Sequence, residues 1–438
     1  MSLNYFKGGI HPPEQKLTAL SAIEVAPIPK KVTLHLSQHI GAPAEPLVKK
    51  GDEVKVGQLI ASAAAFVSAP IHASISGKVA DIDNYPHPMG KYLPAIVIES
   101  NDPSQNQLNY AETPNPFTLS AEELKARIKQ AGIVGLGGAT FPAHVKLSPP
   151  AEKPVDTLVI NGAECEPYLT ADHRLMVERT KDVIAGAGIL RKILGAKQVI
   201  IGVEANKPDA VDLLKQASVK EISVVSLNVK YPQGSEKHLI KTLLDREVPP
   251  PPGLPMDVGV VVQNVGTVVA VWDAVRLQKP LIERVLTVSG RGIKEPKNLL
   301  ARLGTPISEL VEFCGGLDEK TGKVILGGPM MGVAQYSLDV PVIKGTSGVV
   351  ALLEDEVDQE SYKACIRCGN CVAVCPCLLL PNMLSIYGEH GEYKLAEEDH
   401  VMMCLECGCC SYGCPAKRPI VHWIRQTKAE IMAQRKKS

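Results

Sequence analysis

The chain has 438 residues and a mass of 47.0 kDa, with 47 basic against 47 acidic residues and 45% hydrophobic content. That length exceeds one ordinary core and, at roughly 100 to 200 residues per domain, points to about three domains. The balanced charge excludes a general electrostatic pull on nucleic acid, and the composition is that of a multidomain globular protein.

The opening MSLNYFKGGIHPP has no apolar core behind a basic segment, so it does not read as a secretory signal and an intracellular location is expected. The longest strongly apolar uncharged run, Val258 to Trp272, is shorter than the ~20 residues of a bilayer helix. Gln263, Asn264 and Gly266 also interrupt it, so any membrane contact is expected to be peripheral. Eight of the 12 cysteines fall into two tight clusters, a usage that fits thiolate ligands better than disulfides.

Residues 1–100 read as a small β barrel-sandwich, because from Val32 to Ile98 short β-branched runs alternate with Gly, Pro and Asp. The segment resembles the biotinyl/lipoyl barrel family, whose modified Lys sits on an exposed hairpin. No Lys occurs between Lys55 and Lys78, so the resemblance implies the fold without the swinging arm. Residues 101–119 read as a Pro- and Asn-rich linker.

Ser120 and Glu123 then form a capping box, and Leu124, Ile128 and Ala131 share a face, predicting a helix to Gly132. Over 120–283 the strand-like runs VDTLVI, QVIIGV, EISVVSL and VGVVV alternate with helical stretches at 172–194 and 235–246, the rhythm of an α/β sheet. Residues 284–350 read as a β-rich module with one helix, 351–420 as a ferredoxin-like domain, and 421–438 as a basic closing helix.

Cys365, Cys368, Cys371 and Cys375 with Pro376 spell C-x-x-C-x-x-C-x-x-x-C-P, and Cys404, Cys407, Cys410 and Cys414 with Pro415 repeat it. Three thiolates two residues apart can wrap one face of a 4Fe–4S cubane, while the fourth is turned toward the other cluster. The expected ligand sets are therefore Cys365, Cys368, Cys371 and Cys414, and Cys404, Cys407, Cys410 and Cys375. Zinc and disulfides are the competing readings, but zinc sites use paired knuckles rather than two four-Cys runs. Cys377 and Cys409 read as packed thiols or as cluster-tuning neighbours, and Cys314 as core.

The loop GIVGLGGATFPAHVK, Gly132 to Lys146, exposes backbone N–H groups that can cradle a phosphate, with Lys146 to neutralise it. It is not the dinucleotide fingerprint, since a helix precedes it, and a plain tight turn is the alternative. NGAECEP puts Asn161, Glu164 and Glu166 after the strand VDTLVI, where α/β sheets bind ligands; a solvated acidic loop is the alternative. One-electron centres fed by a hydride donor need a flavin-like converter, which adds weight to a nucleotide or flavin site.

FKGGIHPP at 6–13, QHIGAPAEP at 38–46, GIVGLGGATFPAHVKL at 132–147, VINGAECEPYLTADHRLM at 159–176 and the doubled cysteine motif together resemble the C subunit (RnfC) of the Rnf ion-translocating ferredoxin:NAD oxidoreductases, over essentially the whole length. The central domain in turn resembles the NADH-binding flavoprotein subunit of respiratory complex I, and the segment from 284 its β-grasp module. The resemblance implies an FMN and NADH site in which Gly135, Gly137, Gly138 and Lys146 contact flavin or phosphate. Asn161, Glu164 and Glu166 would meet the polar edge of flavin and nicotinamide, Phe141 would offer a stacking face, and Tyr231, Gly234, Glu236, Asn264 and Thr267 would line the flavin. The complex I pattern has Asp where Ala163 stands, Gly at Cys165, Glu at Ser235, and an aromatic where this chain offers Leu147 and Pro149, so the adenine sandwich is incomplete.

The implied function is a peripheral subunit on the cytoplasmic face of the bacterial inner membrane. It would exchange hydride with NAD(H) through non-covalent FMN and pass electrons singly through two 4Fe–4S clusters to other Rnf subunits, with ferredoxin reached through a partner subunit. No side chain would act as a nucleophile. Two rivals share the domains: a soluble reductase similar to cobalamin reductases, and a docking relay with a vestigial nucleotide site. The basic tail, with Ile420, Ile424 and Ile431 near one face, is a candidate for docking on anionic lipid or an acidic partner, against a merely solvated helix.

Overall fold

The computed structural model describes residues 5–100, 102, 106, 110–358 and 361–437, so part of the expected linker 101–119 and the last residue of the basic tail lie outside the described residues. From Lys31 onward the N-terminal unit is built of two small sheets. Lys31–His35, Lys91–Glu99, Gly77–His87 and Glu53–Val54 form an antiparallel four-stranded sheet, and Glu45–Pro46, Leu59–Ser62 and Ile71–His72 form a three-stranded one. Val32, Leu34, Ile60, Ile71, Ile96 and Ile98 are fully enclosed between them, each contributing roughly 1.5 to 3 kcal/mol. At the tip between Leu59–Ser62 and Ile71–His72 stands Phe66, whose carbonyl is hydrogen-bonded to His144 Nε2 at 3.0 Å, joining this unit to the flank of the glycine loop.

The reading of 1–100 as one β unit needs a correction. Ile23–Val25 leaves the barrel and pairs in parallel with Lys297–Arg302, Ile23 opposite Asn298, at the edge of a six-stranded mixed sheet. The rest of that sheet is Glu283–Ser289, Gly348–Leu353, Thr321–Leu326 and Val333–Ala334, with the helix Ile307–Phe313 against it. A partner more than two hundred residues away cannot be read from a three-residue strand.

The central domain is a four-stranded parallel sheet in the order Ile222–Leu227, Gln198–Glu204, Thr157–Gly162, Val260–Asn264. The chain steps outward twice on one side of Thr157–Gly162, then returns to place Val260–Asn264 on its other side. The order therefore reverses between these two strands, where open α/β sheets form a ligand crevice. The expected helix at 172–194 is split at Arg179 into Ala171–Glu178 and Thr180–Leu194, and Gly195 in the left-handed region ends the second. Ser120 and Glu123 cap Ala121–Gln130 with both reciprocal bonds.

The cysteine-rich domain carries the same backbone path twice. Arg367 and Glu406, Gly369 and Gly408, and Leu378 and Lys417 occupy matching places in the two motifs, and all six have positive φ. The closing helix Ile420–Lys437 packs on Pro381–His390, with Ile420, Ile424 and Ile431 1–3% exposed in this core. The apolar face of the tail is therefore spent inside the domain, which leaves only its basic side chains for docking. Arg425 and Lys428 pair with Glu406, and Arg435 with Glu397. Among the described residues no helix is long and apolar enough to cross a membrane.

Candidate functional site

The two cysteine runs close around two hollows of similar size, about 390 and 340 Å³ counted out to open solvent. The first is ringed by Cys365, Cys368, Cys371 and Cys414, the second by Cys404, Cys407, Cys410 and Cys375, with Cys377 also on its wall. In each, the fourth thiol comes from the other motif. Among the described residues no three such side chains converge as they would on a single ion; four thiols spread around a hollow suit a cubane, whose ligands bind different irons. The second cage is lined by Leu384, Leu405, Val421 and Ile424. The first is nearer the surface, with Cys368 exposed and Ile366 65% exposed beside it.

The crevice at the sheet's reversal is built from the predicted glycine loop. Asn161 and Asn264 face each other in register at the ends of their strands. Asn264 caps Val265–Leu277 through Gly266 N–H at 2.9 Å and donates to Asp172 at 2.6 Å. Thr267 Oγ1 accepts from Leu136 N–H at 2.9 Å, and the loop closes on itself through Gly135 N–H to the Phe141 carbonyl at 2.9 Å. Gly137 passes so close to Asn264 that a side-chain carbon there would lie 2.5 Å from Nδ2, whereas one at Gly138 would meet nothing within 4 Å. Gly137 and Gly138 are exposed, and among the described residues no hydrogen bond of ordinary geometry engages their amides. An open, donor-rich turn of this kind fits a phosphate or flavin edge. Lys146, at the end of the same segment, is held by Glu236 at 2.5 Å and the Val262 carbonyl at 3.0 Å. Phe141 is half-buried; Leu147 is core and Pro149 half-buried, so no second aromatic face follows the Lys.

The acidic loop divides. Asn161 stays at the crevice and donates to the Gly234 carbonyl at 2.7 Å. Glu164, in the left-handed region, turns its carboxylate onto Asp172 N–H and His173 N–H at 2.8 and 3.0 Å, capping the helix Ala171–Glu178. Glu166 accepts from Met330 and Met331 N–H at 3.0 and 2.9 Å on the β-grasp side. Burial pushes Glu166 up to about 7 against the pull of those amides.

Sequence reasoning missed what holds this loop and joins it to the cages. Half-buried Lys16 donates to the carbonyls of Glu164, Glu166 and Leu169 at 2.7–2.8 Å, and Lys207 to that of Ala163 at 2.7 Å. Burial holds Lys16 below the usual lysine range. Tyr231, predicted to line the flavin, is 2% exposed, and its hydroxyl donates to the Cys407 carbonyl at 2.7 Å. Cys165 Sγ accepts from Gly234 N–H at 3.4 Å, and burial raises its thiol pKa far above the ordinary value. His238 Nε2 lies 3.0 Å from the Pro376 carbonyl. The doubled glycine in FKGGIHPP was the available signal that the N-terminal segment threads a tight passage.

Comparison with known proteins matches the chain domain by domain. The RnfC barrel sandwich hybrid domain matches residues 4–103, the Nuo51 FMN-binding domain 128–273, the SLBB domain 285–334, and the 4Fe-4S dicluster domain 358–415. The C subunit of the proton-translocating ferredoxin:NAD(+) oxidoreductase complex of Clostridium ljungdahlii is 52% identical, covering 98% of this chain and 95% of that one. The C subunit of the Na(+)-translocating complex of Acetobacterium woodii is 46% identical over 99% and 98%. A chain of the NAD+-reducing [NiFe]-hydrogenase in its H2-reduced state shares the fold at 18% identity and a TM-score of 0.50, over 76% of this chain and 70% of that one. Fold and site thus define an oxidoreductase subunit with an FMN-binding domain and a 4Fe–4S dicluster domain. The chain belongs to the RnfC family, the C subunits of the Rnf ion-translocating ferredoxin:NAD oxidoreductase complexes.

Proposed function

We propose that this chain is the subunit through which NAD(H) exchanges reducing equivalents with the rest of an ion-translocating complex, at the cytoplasmic face of the membrane. The observation that carries the reading is the open glycine turn at the reversal of the parallel sheet, in a domain whose Tyr231 hydrogen-bonds a four-cysteine cage. Bound there, FMN would convert between hydride and single electrons, and two 4Fe–4S clusters would carry those electrons one at a time.

The residues present fit these groups. Gly137 and Gly138 present main-chain donors, Gly135 closes the loop onto Phe141, Lys146 is a cation steadied by Glu236, and Asn161 and Asn264 are amides at the strand ends. Glu164, Glu166, Gly234 and Thr267 shape the walls, and Phe141 supplies one stacking face. The cage of Cys404, Cys407, Cys410 and Cys375 lies on the flavin side through Tyr231, and the cage of Cys365, Cys368, Cys371 and Cys414, with exposed Cys368 and Ile366, faces a partner subunit. Ferredoxin would be reached through that partner.

Anaerobically purified protein should hold about eight iron and eight sulfide and quench the fluorescence of one added FMN. Lys146→Ala should weaken that FMN binding roughly tenfold or more with iron unchanged. Equal FMN affinity in the two proteins would contradict the placement. The rival relay reading is favoured by one observation, the missing aromatic at Leu147 and Pro149, and fails if NADH reduces the bound flavin.

A further inference from the structure

The N-terminal arm Tyr5–Ile10 runs through the joint between the flavin-type domain and the second cysteine cage, touching both. Ile10 pairs with Tyr231 through two main-chain hydrogen bonds, 2.9 and 3.0 Å, while Gly9 N–H donates to the Val374 carbonyl at 2.9 Å. One short stretch thus grips the Tyr231 turn and the turn that delivers Cys375. Phe6 packs edge-on against His238 with centroids 4.4 Å apart, and Lys230 Nζ lies 4.4 Å from the same ring and donates to the Phe6 carbonyl at 2.7 Å. His238 in turn contacts the Pro376 carbonyl.

The passage leaves no room for side chains. Gly8 has φ +67, and a side-chain carbon on it would fall 2.5 Å from the carbonyl oxygen of Cys375 and 2.7 Å from its carbon. Gly9 has φ +80, and its side-chain carbon would fall 2.7 Å from the Tyr231 carbonyl oxygen. Both glycines are therefore required by conformation and by space. Their neighbours are the main chain of a predicted cluster ligand, Cys375, and of Tyr231, whose hydroxyl donates to the carbonyl of another, Cys407.

We infer that the arm is a positioning wedge that fixes the cage of Cys375, Cys404, Cys407 and Cys410 against the flavin-type domain, with Gly8, Gly9 and Phe6 as its positioning residues. None of them exchanges an electron. They act through Cys375 and Tyr231, setting the gap that an electron crosses and the packing around one cluster. The electron-transfer part of this inference rests on the reading of the glycine turn as a flavin site. Transfer is steeply sensitive to small displacements at such a joint, and cluster potential to the packing and hydrogen bonds around its sulfurs.

Gly8→Ala and, separately, Phe6→Ala in the full chain, with clusters and FMN in place, provide the test. The expected result is unchanged iron and FMN content and an unchanged rate of flavin reduction by NADH. The subsequent reduction of the clusters should be slowed roughly tenfold or more, as for other small misplacements. In dithionite-reduced protein the EPR signal of the cluster lost on Cys375→Ser should shift in both variants, while that of the cluster lost on Cys414→Ser should not. Wild-type cluster reduction together with unshifted EPR in both variants would overturn the inference. If NADH fails to reduce the wild-type flavin, the proposed function falls, and the dithionite EPR comparison still decides whether the arm positions the cluster.

Discussion

The hydroxyl of Tyr231 donates to the main-chain carbonyl of Cys407 at 2.7 Å, so a residue at the edge of the flavin-type domain reaches the cysteine cage directly. Tyr231→Phe keeps the ring and leaves a buried carbonyl without its donor, a loss of about 1 to 3 kcal/mol. Anaerobic thermal melts should show the variant destabilised with iron content preserved. An unchanged melting temperature would mean that the bond adds nothing to the joint.

The exchange of cysteines between the two motifs makes opposite predictions for neighbouring residues. Cys414→Ser should abolish the cluster held by Cys365, Cys368 and Cys371, and Cys375→Ser the one held by Cys404, Cys407 and Cys410. EPR of each variant reads this out; loss of the cluster held by the sequence-adjacent cysteines would refute the crossed arrangement.

Lys344 is fully buried where the barrel meets the glycine loop, its Nζ on the carbonyls of Pro70 and Gly132 at 2.8 Å each. Burial pulls its pKa from 10.5 down to about 7. Between these values the unfolded chain binds the extra proton, so this group adds stability as pH rises and loses it as pH falls toward 7. The melting temperature of the wild type should therefore gain on that of Lys344→Met between pH 7 and 9. A constant gap over that range would show that Lys344 is charged in the fold.

Truncation after Pro419 should not merely free a tail. Ile420, Ile424 and Ile431 would be lost from the core of the cysteine-rich domain, and Glu406 would lose Arg425 and Lys428. Removing three buried isoleucines costs several kcal/mol, and iron content should fall sharply. A truncated chain with full iron content would return the helix to the role of a free docking element.

The parts of the molecule legible in the sequence are those whose signals are local. Four cysteines and a proline at fixed spacing predict a cage wherever they occur, and Ser120 with Glu123 announces a helix start. The glycine loop was recognisable as an open turn because its composition carries the property. What could not be read depends on distant partners. Ile23–Val25 reads as a strand of no particular sheet until Lys297–Arg302 is beside it. The isoleucine spacing of the last helix marks an apolar face without saying what covers it. Glu164 and Glu166 were read by charge and strand position, but their carboxylates are taken by amides of a helix start and of the β-grasp loop. Gly8 and Gly9 stood out as a motif, and only the approach of Cys375 and Tyr231 explains them.

The most direct measurement is anaerobic stopped flow with NADH, following flavin and cluster absorbance separately in FMN-loaded and flavin-free protein. The account predicts that flavin bleaches first and that the clusters follow only when flavin is present. Clusters that bleach in flavin-free protein as fast as in the loaded protein would contradict it.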